Sequence, residues 1–304
     1  MKKTKIIVPA LGVLLLSTAA SVTGTVAWFS MNNFVTATGM EVKAKAENGI
    51  VISNAASGST WKETATTART TALALKPTST ATGATWVHST SNNSALQNTE
   101  NDYELLSLTV DSTYGAGYVN DNSNAGYQYE AGGSGDTAYD ADSTYYSLHS
   151  FYVKSSAEAL TKTIYITNVK ATLPSTQQSE NLNKALRVLV KLNGDDSSAK
   201  VYSPVYAAAS YSVATTAGKF SGEGAATKAT VTPIDASGAN GLIADTDDQE
   251  FLATQAIPAS SGTPLQFDIY LYFEGEDPNC KSDNLTATLD NIQVEVTFGT
   301  QTRS

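Results

Sequence analysis

The feature that most constrains the fold of this chain is the alternation of apolar and polar side chains along short segments. Residues 161–168 read Thr-Lys-Thr-Ile-Tyr-Ile-Thr-Asn, whereas helical spacing of apolar residues is scarce along the sequence. Successive side chains of a strand point to opposite faces, so this alternation indicates half-buried strands. We therefore expect an all-β fold, an antiparallel jelly-roll-type β-sandwich with long loop insertions and at most one or two short helices. Strands are predicted at 34–44, 50–53, 105–110, 147–154, 162–173, 185–192, 200–206, 265–274 and 291–299.

The N-terminal region has the organisation of an export signal. Lysines in the first five residues precede an apolar run from 6 to 29, and small residues are frequent in the second half of that run. A positive start, an apolar centre and a small-residue exit are typical of a removed signal peptide. The run is also long enough to cross a bilayer, so a retained membrane helix is the alternative. Cleavage after Ala20 and cleavage after Ala27 both fit the small-x-small rule.

Charge and cysteine content narrow the class of protein. The chain has 19 Lys and Arg against 29 Asp and Glu, a net charge of −10. Nucleic acid is bound through Lys and Arg contacts to phosphate, so we expect no nucleic-acid partner. Only 16% of the residues are charged, and the hydroxyl-rich remainder is typical of extracellular β-proteins. Cys280 is the single cysteine; we expect an inert, partly buried thiol, with pairing between two molecules as the alternative.

The domain organisation follows from composition along the chain. We expect a signal peptide at 1–27 and one β-sandwich domain at 28–304, with insertions at about 55–101, 112–146 and 207–241. These three segments have little aliphatic content, so we interpret them as long surface loops with short edge strands. The Asn-Gly pair at 48–49 predicts a tight turn before the strand at 50–53. A short helix is predicted at 179–185, with Ser179 as its N-cap.

Catalytic and metal motifs are scarce. The two histidines, His88 and His149, lie in different segments, and the sequence has no HExxH pair, nucleophile elbow, phosphate loop or dinucleotide fingerprint. We expect no enzyme activity and no cofactor, with a hydrolase built on paired carboxylates as an open alternative. Calcium is the one metal considered, at 245–250 and 121–126. The second segment departs from the EF-hand pattern at Ala125 and Gly132, and solvated acidic loops are the favoured interpretation of both.

Two stretches carry a resemblance to a known family. Residues 24–30, Gly-Thr-Val-Ala-Trp-Phe-Ser, followed by 34–42, Phe-Val-Thr-Ala-Thr-Gly-Met-Glu-Val, resemble the N-terminus of the TasA/camelysin family of fibre-forming secreted proteins. Residues 269–280, which end in Glu-Gly-Glu-Asp-Pro-Asn-Cys, and 292–298 are similar to the closing strands of uncharacterised relatives of that group. The resemblance implies cleavage between Ala27 and Trp28 by a dedicated signal peptidase.

The resemblance also implies a function. It implies a secreted jelly-roll subunit that polymerises with itself into extracellular fibres of a biofilm matrix or cell surface, with other matrix components as further partners, and meets the membrane only during export. An N-terminal strand freed by proteolysis is suited to strand addition. The implied assembly strand comprises Phe29, Phe34, Val35, Thr36, Ala37, Thr38, Gly39, Met40 and Val42, with Gly39 as a bulge or hinge.

Two other classes of function stay open. One is a non-polymerising surface or virion structural protein that keeps an N-terminal membrane helix. The other is a secreted hydrolase or a glycan-binding module, since β-sandwiches often bind glycans through loop aromatics, here Tyr114, Tyr118, Tyr127 and Tyr129.

Overall fold

Short β-strands make up nearly all of the regular structure in the computed structural model of the chain. The structure describes residues 35–38, 40–47, 49–57, 61–68, 73–75, 77–89, 102–105, 108–111, 118–121, 143–159, 162–173, 181–192, 195–216, 218–219, 224–243, 250–252, 257–277, 279–280 and 289–300.

Twenty-one strands lie in these residues. The first seven are β1 (Val35–Thr38), β2 (Glu41–Ala46), β3 (Ile50–Ser53), β4 (Thr64–Ala68), β5 (Leu73–Leu75), β6 (Val87–Ser89) and β7 (Asp102–Leu105). The next seven are β8 (Leu108–Asp111), β9 (Tyr118–Asp121), β10 (Ser143–Ser155), β11 (Ile164–Thr172), β12 (Leu186–Leu192), β13 (Lys200–Ser203) and β14 (Tyr211–Ala214). The last seven are β15 (Gly218–Lys219), β16 (Lys228–Val231), β17 (Ile234–Asp235), β18 (Glu250–Leu252), β19 (Leu265–Phe273), β20 (Leu289–Asp290) and β21 (Gln293–Gly299).

Helical structure in the described residues is limited to single turns. Three 3₁₀-helices lie at Asn181–Ala185, Asp196–Ser198 and Ala239–Gly241. The first lies inside the segment predicted as a helix, whereas Ser179, its expected N-cap, falls outside the described residues. The turn predicted at 48–49 is present at Gly49, whose φ of 85° is in the region that favours glycine.

The strands form two main sheets that pack as a sandwich. The large sheet has the order β17-β13-β12-β19-β10-β5-β1-β20, with β3 and β9 also paired to β10 and β8 to β9. The second sheet has the order β18-β11-β21-β2-β4, and two small sheets are β14-β16 and β15-β7-β6. The predicted all-β sandwich is confirmed. Most pairs are antiparallel, but β1–β20, β2–β21, β5–β10 and β13–β17 run parallel.

The main core lies between the two sheets. On β12 and β19 the inward positions alternate with outward ones, so that Val188 and Val190 of the large sheet are fully buried, as is Val42 of the second sheet. The Phe267 and Phe298 rings, one from each sheet, lie with centroids 4.9 Å apart. Each fully buried aliphatic or aromatic side chain contributes about 1.5–3 kcal/mol, so this interface is the principal source of stability.

A second core covers the outer face of the large sheet. Trp86 stacks on Tyr146 with ring centroids 4.1 Å apart and meets the edge of Tyr272 at 5.1 Å. The hairpin β14–β16 adds Val213 and Val231 to the same cluster. Part of the molecule therefore has three layers, in which the large sheet is the middle one.

This outer layer includes buried parts of the three segments interpreted as long surface loops with short edge strands. For the tyrosines of 112–146, that interpretation expects packing on the sandwich or contact with a neighbouring subunit. Trp86 lies in the predicted insertion 55–101, the hairpin β14–β16 lies in 207–241, and Tyr145 and Tyr146 end the insertion 112–146, yet all contribute buried side chains. Their aromatic and small apolar residues cover a sheet face, although aliphatic content is too low for a core of their own.

The first and last strands cross together from one sheet to the other. β1 pairs with β20 in the large sheet, through Ala37↔Leu289 and Thr38↔Asp290. After Thr38 and Asp290 the two segments pass to the second sheet, where β2 pairs with β21 from Glu41↔Gln293 to Ala46↔Phe298. We call these four parallel-paired strands, β1, β2, β20 and β21, the terminal ribbon. It joins the two ends of the described chain and both sheets of the sandwich.

Candidate functional site

The predicted assembly strand is divided between the two sheets. Val35, Thr36, Ala37 and Thr38 form β1 in the large sheet. Met40 and Val42 are buried in the main core at the start of the second sheet. The cleavage residues Ala27 and Trp28, and the assembly residues Phe29, Phe34 and Gly39, lie outside the described residues.

Neither part of this segment is placed at a sheet edge. β1 lies between β5 and β20, and β2 lies between β21 and β4. A segment that alternates like one edge strand is therefore two interior strands in the single chain. The reason is that the chain changes sheet after Thr38, so that β1 fills a place in the large sheet and β2 fills a place in the second sheet.

The two strands differ in how firmly they are held. β1 has three register partners on β5 and two on β20. β2 has six on β21 and five on β4, and its Val42 and Ala44 side chains are fully buried. Backbone hydrogen bonds contribute about 0.5–1.5 kcal/mol each on a net basis, so release of β1 alone disturbs far less structure than release of β2.

The best-defined polar arrangement is a buried turn that follows β19, residues 274–280, which we call the acidic turn. The Asp277 amide donates to the Glu274 carbonyl at 3.1 Å, and the Cys280 amide donates to the Asp277 carbonyl at 2.9 Å. The Asp277 carboxylate accepts from the Asn279 amide at 2.7 Å. The Glu-Gly-Glu-Asp-Pro-Asn-Cys motif thus forms a turn in which side-chain carboxylates accept hydrogen bonds from backbone amides of the same turn.

Arg187 pairs with the acidic turn at a site closed to solvent. Its guanidinium forms a salt bridge with Asp277, with side-chain exposures of 0% and 1%. The same guanidinium donates to the Lys184 and Leu186 carbonyls at 2.6 and 2.9 Å. Tyr206 donates its hydroxyl to Asp277 as well. A buried charge is costly without partners, so the Arg187–Asp277 pair fixes the acidic turn against β12. The hydrogen bond from Tyr206 holds the segment after β13 against the same turn.

Glu274 is a second buried acid in the same place. Ser79 donates its hydroxyl to the Glu274 carboxyl, and the Glu276 amide donates to it at 3.0 Å. Burial raises the pKa of Glu274 to about 7, and the bonds from Ser79 and Glu276 and the charge of Arg187 limit the rise. This carboxyl can therefore gain or lose a proton near neutral pH.

Cys280 closes the acidic turn. The thiol is free and fully buried, and burial raises its pKa well above the ordinary value. The thiol, predicted to be partly buried, is fully buried. A buried protonated thiol is a poor nucleophile, so its inertness stays a prediction.

His149 is the centre of a hydroxyl–imidazole–hydroxyl group inside the sandwich. Its Nδ1 lies 2.6 Å from the Thr67 hydroxyl of β4, and its Nε2 lies 2.8 Å from the Ser147 hydroxyl. The Ser147–His149 spacing is that of a nucleophile and its base. Ser147 is fully buried and His149 is 2% exposed, so the group links the two sheets within the core. His88 lies in β6, opposite Glu104 of β7, and the structure does not bring the two histidines into one sheet.

The segments considered for calcium and glycans lie largely outside the described residues. Of the acidic segments, Asp121 ends β9 and Glu250 begins β18. Across the part of the chain that the structure describes, no group of three or more His, Cys, Asp or Glu could hold a metal ion. Among the loop aromatics Tyr118 begins β9, and Tyr114, Tyr127 and Tyr129 are not among the described residues.

The pairing of Arg187 with the acidic turn was not predictable as a site from the sequence. The alternation of β12 places Arg187 on the outward face, where a strand with one solvated face exposes its charges. The signal that points to the site is the motif at 274–280, which carries three carboxylates, Glu274, Glu276 and Asp277, directly after a buried strand.

No helix of the described residues is long and apolar enough to span a membrane.

Comparison with known proteins adds no functional assignment. Comparison of the chain with protein-family models, with curated proteins and with solved structures finds no match.

Proposed function

We propose that this chain is a secreted structural subunit that polymerises into extracellular fibres of a biofilm matrix or cell-surface filament. The proposal assigns it no catalytic role and no cofactor. Other copies of the chain are its main partner, other matrix components could join them, and nucleic acid is excluded by charge. Export accounts for the apolar N-terminal run, which contacts the membrane only in transit.

The observation that carries the proposal is that β1 has few register partners in its sheet, whereas β2 has many. β1 is the first described strand after the predicted cleavage site, and five register pairs hold it. Exchange of an identical element between copies re-forms the same contacts in the neighbour, so it requires little free energy. We infer that β1 leaves its own sheet and fills the place between β5 and β20 of the next copy, while β2 stays in its own chain.

We propose that this exchange runs head to tail, because reciprocal exchange between two copies would give a closed dimer instead of a fibre. Each copy donates β1 at one place and accepts β1 at another, which is a head-to-tail contact that continues unless the rotation closes a ring. The segment between β1 and β2, around residue 39, is where the chain has to turn outward. Residues 28–34, which precede β1, extend the donated segment.

Processing is tested by N-terminal sequencing of the protein from the culture medium. The expected first residue is Trp28. A sequence that begins at Ser21, or at Met1, contradicts the proposed cleavage, and Met1 favours a retained membrane helix.

Exchange is tested with two chains that each carry one new cysteine. Thr36 of β1 and Ala74 of β5 are register partners, and paired strands bring their Cα atoms to about 4.5–5.5 Å, within disulfide range. We expect Thr36→Cys chains mixed with Ala74→Cys chains to form intermolecular disulfides in assembled material.

The matched control uses β2, which we expect to stay in its own chain. Lys43 and Thr66 are register partners of β2 and β4, so Lys43→Cys chains mixed with Thr66→Cys chains should not cross-link. Filaments that show no link between Thr36→Cys and Ala74→Cys, or that form at normal length without residues 28–38, refute exchange of β1.

A further inference from the structure

The longest part of the terminal ribbon is a parallel ladder between the first and last parts of the described chain. β2 and β21 share six register pairs, from Glu41↔Gln293 to Ala46↔Phe298. The Glu41 amide donates to the Ile292 carbonyl at 2.9 Å, and the Glu47 amide donates to the Phe298 carbonyl at 2.9 Å. These two bonds mark the two ends of the ladder, whose bonds are evenly spaced in a parallel pair.

The direction of the two strands decides how tension acts on this ladder. A pull on the N-terminal side first loads the short strand β1 and, once β1 yields, reaches β2 at Glu41, the first residue of that strand. A pull on the C-terminal side reaches β21 at Gly299, its last residue. Because the strands are parallel, the two pulls act at opposite ends of the ladder and in opposite directions along it. The load is then shared by all the bonds at once instead of breaking them one by one.

We propose that the β2–β21 ladder of the terminal ribbon is a mechanical clamp, by which the domain bears tension applied between its two ends without unfolding of the sandwich. This load-bearing role goes beyond the proposed fibre function and does not depend on it, since it is a property of one chain.

The surroundings of the ladder resist sliding of either strand. Both strands are interior, with β4 on the far side of β2 and β11 on the far side of β21. β11 and β21 share seven register pairs. Sliding of β2 or β21 therefore has to break two ladders for each strand, whereas β1, which precedes β2, has only five register pairs and yields first.

Side chains add to the same resistance. Val42 and Ala44 of β2, and Val294 and Val296 of β21, are buried in the main core. A slip of one residue would turn these side chains to solvent and bring charged ones inward. On the outer face Lys43 pairs with Glu295 at 2.7 Å across the two strands. This pair is partly exposed and contributes little alone, so the core side chains and the ladder carry the clamp.

The test is single-molecule force spectroscopy of the chain in two pulling geometries. In the first, handles are attached at the two ends of the chain, which loads the ladder in shear. In the second, one handle is attached through Glu47→Cys and the other stays at the C-terminal end. Residue 47 lies at the same end of the ladder as Gly299, so this pull peels β2 from β21 bond by bond. Cys280 is fully buried, so the handle reacts at residue 47 in the folded protein.

We expect the rupture force to be several-fold higher in the first geometry, followed by extension of the sandwich in one step. Equal forces in the two geometries overturn the proposal. Extension of the sandwich beyond the release of β1 at low force before any high-force event, when the chain is pulled by its ends, overturns it as well.

A pair of variants separates the ladder from the surface ion pair. By the alternation that places Glu41 and Glu47 as donors to β21, the Lys43 amide also faces β21. Lys43→Pro removes that donor, whereas Lys43→Ala removes only the ion pair. We expect the end-to-end rupture force to fall strongly in Lys43→Pro and little in Lys43→Ala. Equal losses in both variants contradict a backbone clamp, and if Lys43→Pro does not fold, the comparison of pulling geometries decides.

Discussion

The buried carboxyl of Glu274 makes the stability of this protein depend on pH in an unusual direction. The ordinary pKa of a glutamate is 4.5, and burial raises that of Glu274 to about 7. The folded protein therefore holds this proton more tightly than the unfolded chain does. Between these two values the native state binds more protons, so the free energy of unfolding falls as pH rises. Most carboxylates that are paired in the native state act in the opposite sense.

The magnitude follows from the two pKa values. Each pH unit between them corresponds to about 1.36 kcal/mol, so Glu274 removes roughly 3 kcal/mol from the free energy of unfolding between pH 4.5 and pH 7. The loss is complete above pH 7 and absent below pH 4.5. For a domain with a stability of about 5–15 kcal/mol, this is a large share.

Urea unfolding at pH 5, 6, 7 and 8, with the chain and its Glu274→Gln variant, measures the effect. The amide keeps an oxygen that can accept from Ser79 and the Glu276 amide, and Arg187 keeps its bond to Asp277. We expect the free energy of unfolding of the unchanged chain to fall by roughly 2–3 kcal/mol relative to the variant between pH 5 and pH 8.

The control is Gly224→Ala, which changes no ionisable group and has open space around it. Its pH profile should stay parallel to that of the unchanged chain. Parallel profiles for Glu274→Gln and the unchanged chain would show that the buried carboxyl does not hold a proton near neutral pH, and the reasoning from burial would be wrong.

Three further predictions concern packing. Gly241→Ala should lower the free energy of unfolding by more than about 2 kcal/mol, because a Cβ would meet a β11 carbonyl oxygen at 2.5 Å at a φ of +68°. Gly224→Ala, at a φ of +77° with open space around it, should lose only about 1 kcal/mol; equal losses in urea titrations would contradict the steric argument. Trp86→Ala should lose about 3–5 kcal/mol and the near-ultraviolet dichroism of the outer aromatic cluster, and an unchanged spectrum would contradict the third layer. Arg187→Met should lose about 3–5 kcal/mol by leaving a buried carboxylate unpaired, and adding Asp277→Asn should recover part of the loss; no recovery in urea unfolding would contradict the pair.

The sequence predicted the strands of the main core well. Residues 147–154 and 265–274 are predicted as strands, and the structure has β10 at Ser143–Ser155 and β19 at Leu265–Phe273. Both segments are long, and in β19 every second residue from Phe267 to Phe273 lies in the main core. Local periodicity of this kind reports a strand and its two faces directly.

Periodicity could not predict which strands are neighbours in a sheet, or that a third layer covers the large sheet. Lys43 contacts Glu295 across a separation of 252 residues, and periodicity carries no information about which strands pair. The outward face of β12 has the pattern of a solvated face, yet Arg187 on that face is fully buried. Its cover comes from segments with few aliphatic residues, where Trp86 supplies the packing area that a count of aliphatic residues overlooks.

The parallel course of the terminal ribbon also determines how this domain can be fused or permuted. Because β2 and β21 run the same way, the chain comes in at one pole of the second sheet, at Glu41, and goes out at the other, at Gly299. The ladder alone separates these poles by roughly 20 Å, at about 3.3 Å per residue. A circular permutant needs a linker long enough to run back along the whole ladder, unlike domains whose ends lie side by side. Because Glu41 and Gly299 lie at opposite poles of the ladder, the second sheet is suited to serve as an in-line spacer between modules joined on its two sides.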